Sequence, residues 1–259
     1  MREHHRVAVV TGAASGIGRQ IALQLASDGF ALVIHTAKNV RGLQEVASEI
    51  QDLGAPVRAI TADYLRPHLL STFVDAAYAW RGHIHAWVNN AGADVLTGAA
   101  RNRSFEQRLQ ELWQVDVAGT MSVSRLVAER MKAWVGGKHG QSTPVIINTG
   151  WDQAPFGMEG ESGQLFCTVK AAVMAFSKAL AQSVGPDVRV NCIAPGWIKT
   201  AWGQGTSEYW DRRARDESLL ARWGTPEDIA LAVSWLAGPT AEFINGQTIE
   251  INGGWKRTR

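Results

Sequence analysis

Short apolar runs rich in β-branched residues alternate along this chain with longer stretches whose apolar positions recur every three to four residues. The first kind predicts strands over 6–11, 31–35, 56–61, 84–88, 144–148, 188–193 and 247–251. The second predicts helices from Ile17 to about 28, then over 40–53, 67–81, about 104–134, 166–185 and 226–236. A polar stretch rich in Trp and Arg, 201–222, reads as helical and as a mobile lid. No linker, repeat or low-complexity tract interrupts the alternation. The expectation is one α/β domain over 1–259, a doubly wound parallel sheet of about seven strands with a lid at about 200–222. In that architecture ligands sit at the carboxyl ends of the strands.

The loops that follow the predicted strands carry the chemistry. After the first comes Gly12-Ala13-Ala14-Ser15-Gly16-Ile17-Gly18 and then a helix. A glycine turn between strand and helix lets backbone approach a phosphate, and the helix amino terminus offers it N–H groups, as in Rossmann dinucleotide folds. The spacing is G-x-x-x-G-x-G, a variant of the standard fingerprint. After the second strand there is no Asp or Glu between Phe30 and Gln44, while Lys38 and Arg41 are present. An acid there would take the ribose hydroxyls and a base would take a 2′-phosphate, so NADP is favoured over NAD, with NAD kept open. Asp63 and Tyr64 close the third strand at the adenine end. Asn89-Asn90-Ala91-Gly92 forms the tight exit of the fourth, and Ala194-Pro195-Gly196-Trp197-Ile198-Lys199-Thr200 follows the sixth.

Composition narrows the class. With 46% hydrophobic and 19% charged residues the chain can bury a large core. A net charge of +2 argues against a nucleic-acid partner, and the basic groups Arg212-Arg213 with Arg215 and Lys256-Arg257-Thr258-Arg259 read as a solvated helix face and a tail. Cys167 and Cys192 stand apart in apolar runs, as buried thiols in a reducing compartment do. Without an apolar leader run or a stretch near ~18 apolar residues, the expectation is a cytoplasmic protein with no membrane partner. His83 and His85 face one side with no third ligand and read as surface histidines, so no metal site is expected. The stretch 136–141 reads as a loop.

The chain resembles the short-chain dehydrogenase/reductases, in particular their 3-oxoacyl-carrier-protein reductase-like group. The motifs that carry the resemblance are the 11–18 turn, Asn89-Asn90-Ala91-Gly92, Asn191-Cys192-Ile193-Ala194-Pro195-Gly196, Trp223-Gly224-Thr225-Pro226-Glu227-Asp228-Ile229-Ala230, and Asn245-Gly246-Gln247 with Asn252-Gly253-Gly254. The resemblance implies cofactor contacts at Gly12, Ser15, Ile17, Lys38, Asp63, Asn90, Lys170, Ile198 and Thr200. Gly16, Gly18, Tyr64, Ala91, Gly92, Pro195 and Gly196 belong to the same cofactor path. It also implies a homotetramer or homodimer with the long helices and the last strand at its interfaces.

Against that pattern the catalytic positions differ. The family's Tyr corresponds to Phe166, its Ser to Trp151 (allowing about two extra loop residues) and its Asn to Asp116; only Lys170 matches. Phe166 and Lys170 are four apart and share one helix face. Replacement candidates are Asp152, for which pteridine reductases offer a similar Asp, Asp116 and Tyr209, with Glu159, Glu161 and Ser162 in the same loop. Trp151, Phe156, Met158, Trp197, Trp202, Tyr209 and Trp210 are candidates for an apolar pocket. The expectation is an NADP-dependent oxidoreductase acting on a small organic molecule that takes little acid from the protein. A catalytically silent NADP-binding sensor or structural partner is the alternative; a lyase or isomerase on the same frame ranks last.

Overall fold

In a computed structural model that describes residues 6–135 and 143–256, seven strands form one parallel sheet. The elements run β1 (Arg6–Thr11), α1 (Gly16–Ser27), β2 (Phe30–Thr36), α2 (Val40–Asp52), β3 (Val57–Thr61), α3 (Leu70–Arg81), β4 (Ala86–Asn89), α4 (Phe105–Leu112), α5 (Thr120–Val135), β5 (Val145–Thr149), α6 (Gly160–Val184), β6 (Arg189–Pro195), α7 (Ala201–Gln204), α8 (Glu208–Glu217), α9 (Pro226–Ala237) and β7 (Thr248–Ile251). The strand order is β3-β2-β1-β4-β5-β6-β7. It reverses between β1 and β4, which pair with Val10 opposite Val88, so the exits of these two strands lie side by side. That switch point is where a crevice opens in doubly wound sheets.

Alternate strand residues feed two apolar layers. Val10, Ile34 and Ile147 pack with Ile21 and Leu25 of α1, Val46 of α2 and Val233 of α9. Val9, Val33 and Ile146 pack on the other face with Phe73 of α3, Val127 of α5 and Leu180 of α6. Each such side chain, fully buried, contributes roughly 1.5–3 kcal/mol. Between the central strands and α5 and α6 the core turns polar. Asn89 Nδ2 donates to Ser124 Oγ at 2.9 Å and to Asn148 Oδ1 at 2.8 Å, and Asn148 Nδ2 donates to Ser177 Oγ at 2.9 Å. These groups pair across β4, β5, α5 and α6 and fix the register of the elements that frame the site.

The predicted helix over 104–134 is broken by a π-helical turn, Trp113–Gly119, which carries Asp116. α6 begins at Gly160, so Phe166 lies well inside it, and Glu161 and Ser162 belong to its first turn. α6 is long and apolar enough, by length and composition, to cross a membrane; here Val169, Val173, Leu180 and Val184 bury it as a core helix. α8 ends at Glu217, short of the predicted 222. His85 is tied into the frame, its Nδ1 accepting the Val7 N–H at 3.0 Å, and the His83 ring stacks on Trp134 at 5.5 Å; these histidines are half-buried packing groups. Among the described residues no group of three or more His, Cys, Asp or Glu could hold a metal. The loop expectation for 136–141, the last three residues of the basic tail and the Trp202 side chain lie outside the described residues.

Candidate active site

The β1 turn is fastened to the β4 exit. Thr11 Oγ1 accepts the N–H groups of Asn90 and Ala91, both at 3.0 Å, and donates to Val88 O at 3.3 Å. Asn90 Nδ2 donates to the carbonyls of Thr11 and Gly12, each at 3.3 Å. Gly12 has φ +66°, and a Cβ there would lie 2.9 Å from Ala91 Cα. A Cβ on Gly18 would lie 2.1 Å from the Gly12 carbonyl oxygen, so the turn closes on α1 only without side chains. Gly16 faces Thr200, which brings the segment after β6 against the same turn. The result is a cradle of backbone at a helix amino terminus, the shape a pyrophosphate needs. Ser15 and Ile17 stand at the opening of α1, while Ile198 is buried behind it.

Beyond the cradle a cavity of about 390 Å³ is lined by Gly12, Thr36, Lys38, Asp63, Tyr64 and Gly92. Lys38 is exposed at its rim. Arg41 is turned to solvent instead, paired with Glu45 at 2.9 Å. The sequence reading missed His35 here. Its Nε2 donates to Ala62 O at 2.8 Å, its ring packs on Tyr64 and Phe73, and burial pulls its pKa down to about 4, so it is neutral near pH 7. Glycine turn, helix terminus and adjoining cavity together fit a dinucleotide.

At the other end, Lys170 Nζ lies 2.9 Å from Asp116 Oδ2 and donates to Thr149 O at 3.3 Å. The second Asp116 oxygen accepts the Ala93 N–H at 2.8 Å. The two side chains are only 15% and 2% exposed. One turn before Lys170, the Phe166 ring meets the Trp151 ring edge to face, centroids 6.4 Å apart. Neither ring carries an acidic proton.

The comparisons follow the same frame. Residues 12–256 match the family model described as Enoyl-(Acyl carrier protein) reductase. The chain is 34% identical over 258 residues to the 3-oxoacyl-[acyl-carrier-protein] reductase FabG of Escherichia coli, covering 96% of each chain. It belongs to the short-chain dehydrogenase/reductases. Among solved members, a short-chain dehydrogenase from Burkholderia cenocepacia in complex with NADP superposes with TM-score 0.84 at 28% identity, covering 98% of this chain and 99% of that one. A 7α-hydroxysteroid dehydrogenase complexed with NADH and 7-oxo glycochenodeoxycholic acid gives TM-score 0.85 at 27% identity, covering 98% and 95%.

In this short-chain dehydrogenase/reductase the remaining sequence candidates separate. Asp152 is buried, 1% exposed, with Oδ2 accepting from Asn252 Nδ2 at 3.1 Å at the end of β7. It is grouped with Asn252, Glu250 and Glu217. Burial pushes its pKa up to about 7, the Asn252 hydrogen bond opposing and the Glu250 charge adding to the rise. Tyr209 is 60% exposed on α8, with its hydroxyl donating to Glu159 at 3.4 Å.

The proposed aromatic pocket divides likewise. Trp151 stays with Phe166; Trp197 contacts Trp210 at 5.6 Å and Trp223 at 6.0 Å beneath α8. Phe156, 65% exposed, packs on Trp255. Arg213 corrects the reading of its run as a solvated face. Its guanidinium lies over the Trp197 and Trp210 rings, pairs with Glu159 across the gap and with Glu217 at 2.6 Å.

Proposed function

We propose that the chain is an NADP-dependent oxidoreductase acting on a small organic substrate that draws little or no proton from the protein: an iminium, a pterin-like ring or an activated double bond. The observation that carries this is the intact Gly12–Gly18 cradle joined to a Lys170 whose neighbours are Phe166 and Trp151. When bound, NADPH supplies the hydride. Gly12, Ser15, Gly16, Ile17 and Gly18 would hold its pyrophosphate, Lys38 its 2′-phosphate, and Asp63, Tyr64, Asn90, Ala91 and Gly92 the adenosine side. Lys170 would hold the nicotinamide ribose, with Pro195, Gly196, Ile198 and Thr200 closing that end. NADP is preferred over NAD because Lys38 stands at the cavity rim and no Asp or Glu lies between Phe30 and Gln44.

Asp116 positions the Lys170 ammonium by accepting from it while anchored on the Ala93 N–H. Asp152 is the one carboxyl of the β5 exit that holds a proton near neutral pH, which qualifies it as a proton reservoir beside Trp151. The segment at about 200–222 acts as a lid latched by Arg213 on Glu159. Copies of the chain associate through α5 and α6, where a groove of about 1200 Å³ is lined by Met121, Leu126, Phe176 and Ala179 beside a 47% exposed Trp113. The two free thiols, Cys167 and Cys192, suit a cytoplasmic setting.

A second reading, a silent NADP-binding sensor or structural partner, draws on the same pairing of Lys170 with Asp116 beside two rings that give no proton. NADPH oxidation across a panel of ketones, imines and enones decides. Turnover of imines or enones with weak ketone activity supports the enzyme. Silence throughout with tight NADPH binding, unrelieved by combining Phe166→Tyr with Trp151→Ser, supports the sensor.

A further inference from the structure

The geometry points to a planar organic cation, an iminium, as the molecule that the Trp151–Phe166–Lys170–Asp116 corner binds; this rests on the oxidoreductase reading and narrows its substrate. Three features converge. The Trp151 and Phe166 rings are both half-buried and meet edge to face at 78°, so neither ring is wholly covered. Aromatic faces attract cations through the ring quadrupole, Trp most strongly. The Lys170 ammonium at the corner is already compensated, since it lies 2.9 Å from an Asp116 carboxylate that is almost wholly buried. A bare ammonium would repel a cationic guest, whereas a paired one leaves the corner near neutral. Finally, neither ring can donate an acidic proton.

The third feature separates the candidate chemistries. Hydride delivered to a ketone carbon leaves an alkoxide, to an activated double bond an enolate, and to a neutral pterin-like C=N an anionic nitrogen. Each then needs a proton, from solvent or from an acid such as Asp152. An iminium carbon that takes the hydride pair becomes sp³, its C=N π electrons remain on nitrogen as a lone pair, and a neutral amine leaves. NADPH is oxidised to NADP⁺, the iminium is reduced, and no proton moves. Of the substrate classes above, only this one reaches its product with no proton transfer at all, which suits the rings at 151 and 166.

The test uses the whole protein and two probes of similar shape, the N-methyl-3,4-dihydroisoquinolinium cation and neutral 1-tetralone. Calorimetric titration with NADPH comes first; failure there overturns the oxidoreductase reading itself. With the redox-inert analogue 1,4,5,6-tetrahydro-NADP bound, whose nicotinamide ring is neutral as in NADPH, quenching of tryptophan fluorescence should show the cation binding at least about tenfold more tightly than tetralone. Trp151→Leu and Phe166→Leu should each weaken the cation by about five- to thirty-fold and tetralone by less than about twofold, while Trp151→Phe keeps most of the cation affinity. Asp116→Asn leaves the ammonium uncompensated and should also weaken the cation selectively, which keeps the test decisive where a ring variant fails to fold. With NADPH bound, the cation should be consumed one for one. NADPH binding combined with equal affinity for the two probes, or with equal losses of both in the variants, overturns the inference while leaving the oxidoreductase reading standing.

Discussion

Replacing Lys170 by Met tests the centre of the site through stability rather than activity. The substitution leaves the Asp116 carboxylate, 2% exposed, with the Ala93 N–H at 2.8 Å as its remaining hydrogen bond. Removing one partner of a buried pair costs about 3–5 kcal/mol, because the other charge stays desolvated. In a domain of this size 1 kcal/mol moves Tm by roughly 2–4 °C, so Lys170→Met should lower Tm by roughly 6–20 °C. Asp116→Asn alone leaves the ammonium, which is 15% exposed and still donates to Thr149 O at 3.3 Å, and should cost less. The double variant removes both charges. Its loss should fall short of the sum of the single losses by about 1–3 kcal/mol, the coupling expected of contacting residues. Urea denaturation of all four proteins without cofactor measures the cycle. A coupling near zero, or a Lys170→Met loss under about 1 kcal/mol, would show that the pair is not the charge-compensated unit described above.

Three further outcomes follow from the geometry. The native state holds the Asp152 proton more tightly than the unfolded chain, whose Asp titrates near 3.8, so this group's contribution is full below that pH and is lost as pH rises through about 7. Asp152→Asn should therefore match the parent near pH 4 and exceed it by roughly 2–4 kcal/mol at pH 8, a gap that should be constant with pH if Asp152 does not titrate there. His35, whose pKa is lowered to about 4, acts in the opposite sense below about 6.5 in both proteins and cancels in the comparison. Gly18→Ala puts a Cβ 2.1 Å from the Gly12 carbonyl oxygen; it should cost about 1–3 kcal/mol by denaturation and abolish NADPH binding by calorimetry. Arg213→Ala removes the latch to Glu159 and should speed proteolysis between 201 and 217 severalfold without moving the global Tm by more than about 4 °C.

The fold was legible because a parallel sheet buries its strands on both faces. β2, from Phe30 to Thr36, is buried at every position and opens with an unbroken apolar run, Phe30–Ile34, and the long core helices showed a 3.6-residue stripe. The cradle was legible for a local reason, since Gly12 and Gly16 take positive φ and Gly18 lies against the Gly12 carbonyl, all within one seven-residue turn. Contacts between distant segments were not. Nothing near Asp152 in sequence shows that it turns to Asn252, and nothing near Arg213 shows that it reaches Glu159. Arg41 sits close to Lys38, yet an i,i+4 partner, Glu45, draws it to solvent. The π turn at Trp113–Gly119 has no periodic signature of its own, although the Asp116 it carries could be singled out by aligning motifs.

The central claim is that this chain keeps a working dinucleotide cradle while aromatic rings stand where proton donors would. Calorimetric titration of the purified protein with NADPH and, in parallel, NADH tests it most directly. The account predicts saturable binding of NADPH, tighter than NADH, with the difference abolished by Lys38→Ala. No saturable binding of either nucleotide at millimolar concentration would contradict it.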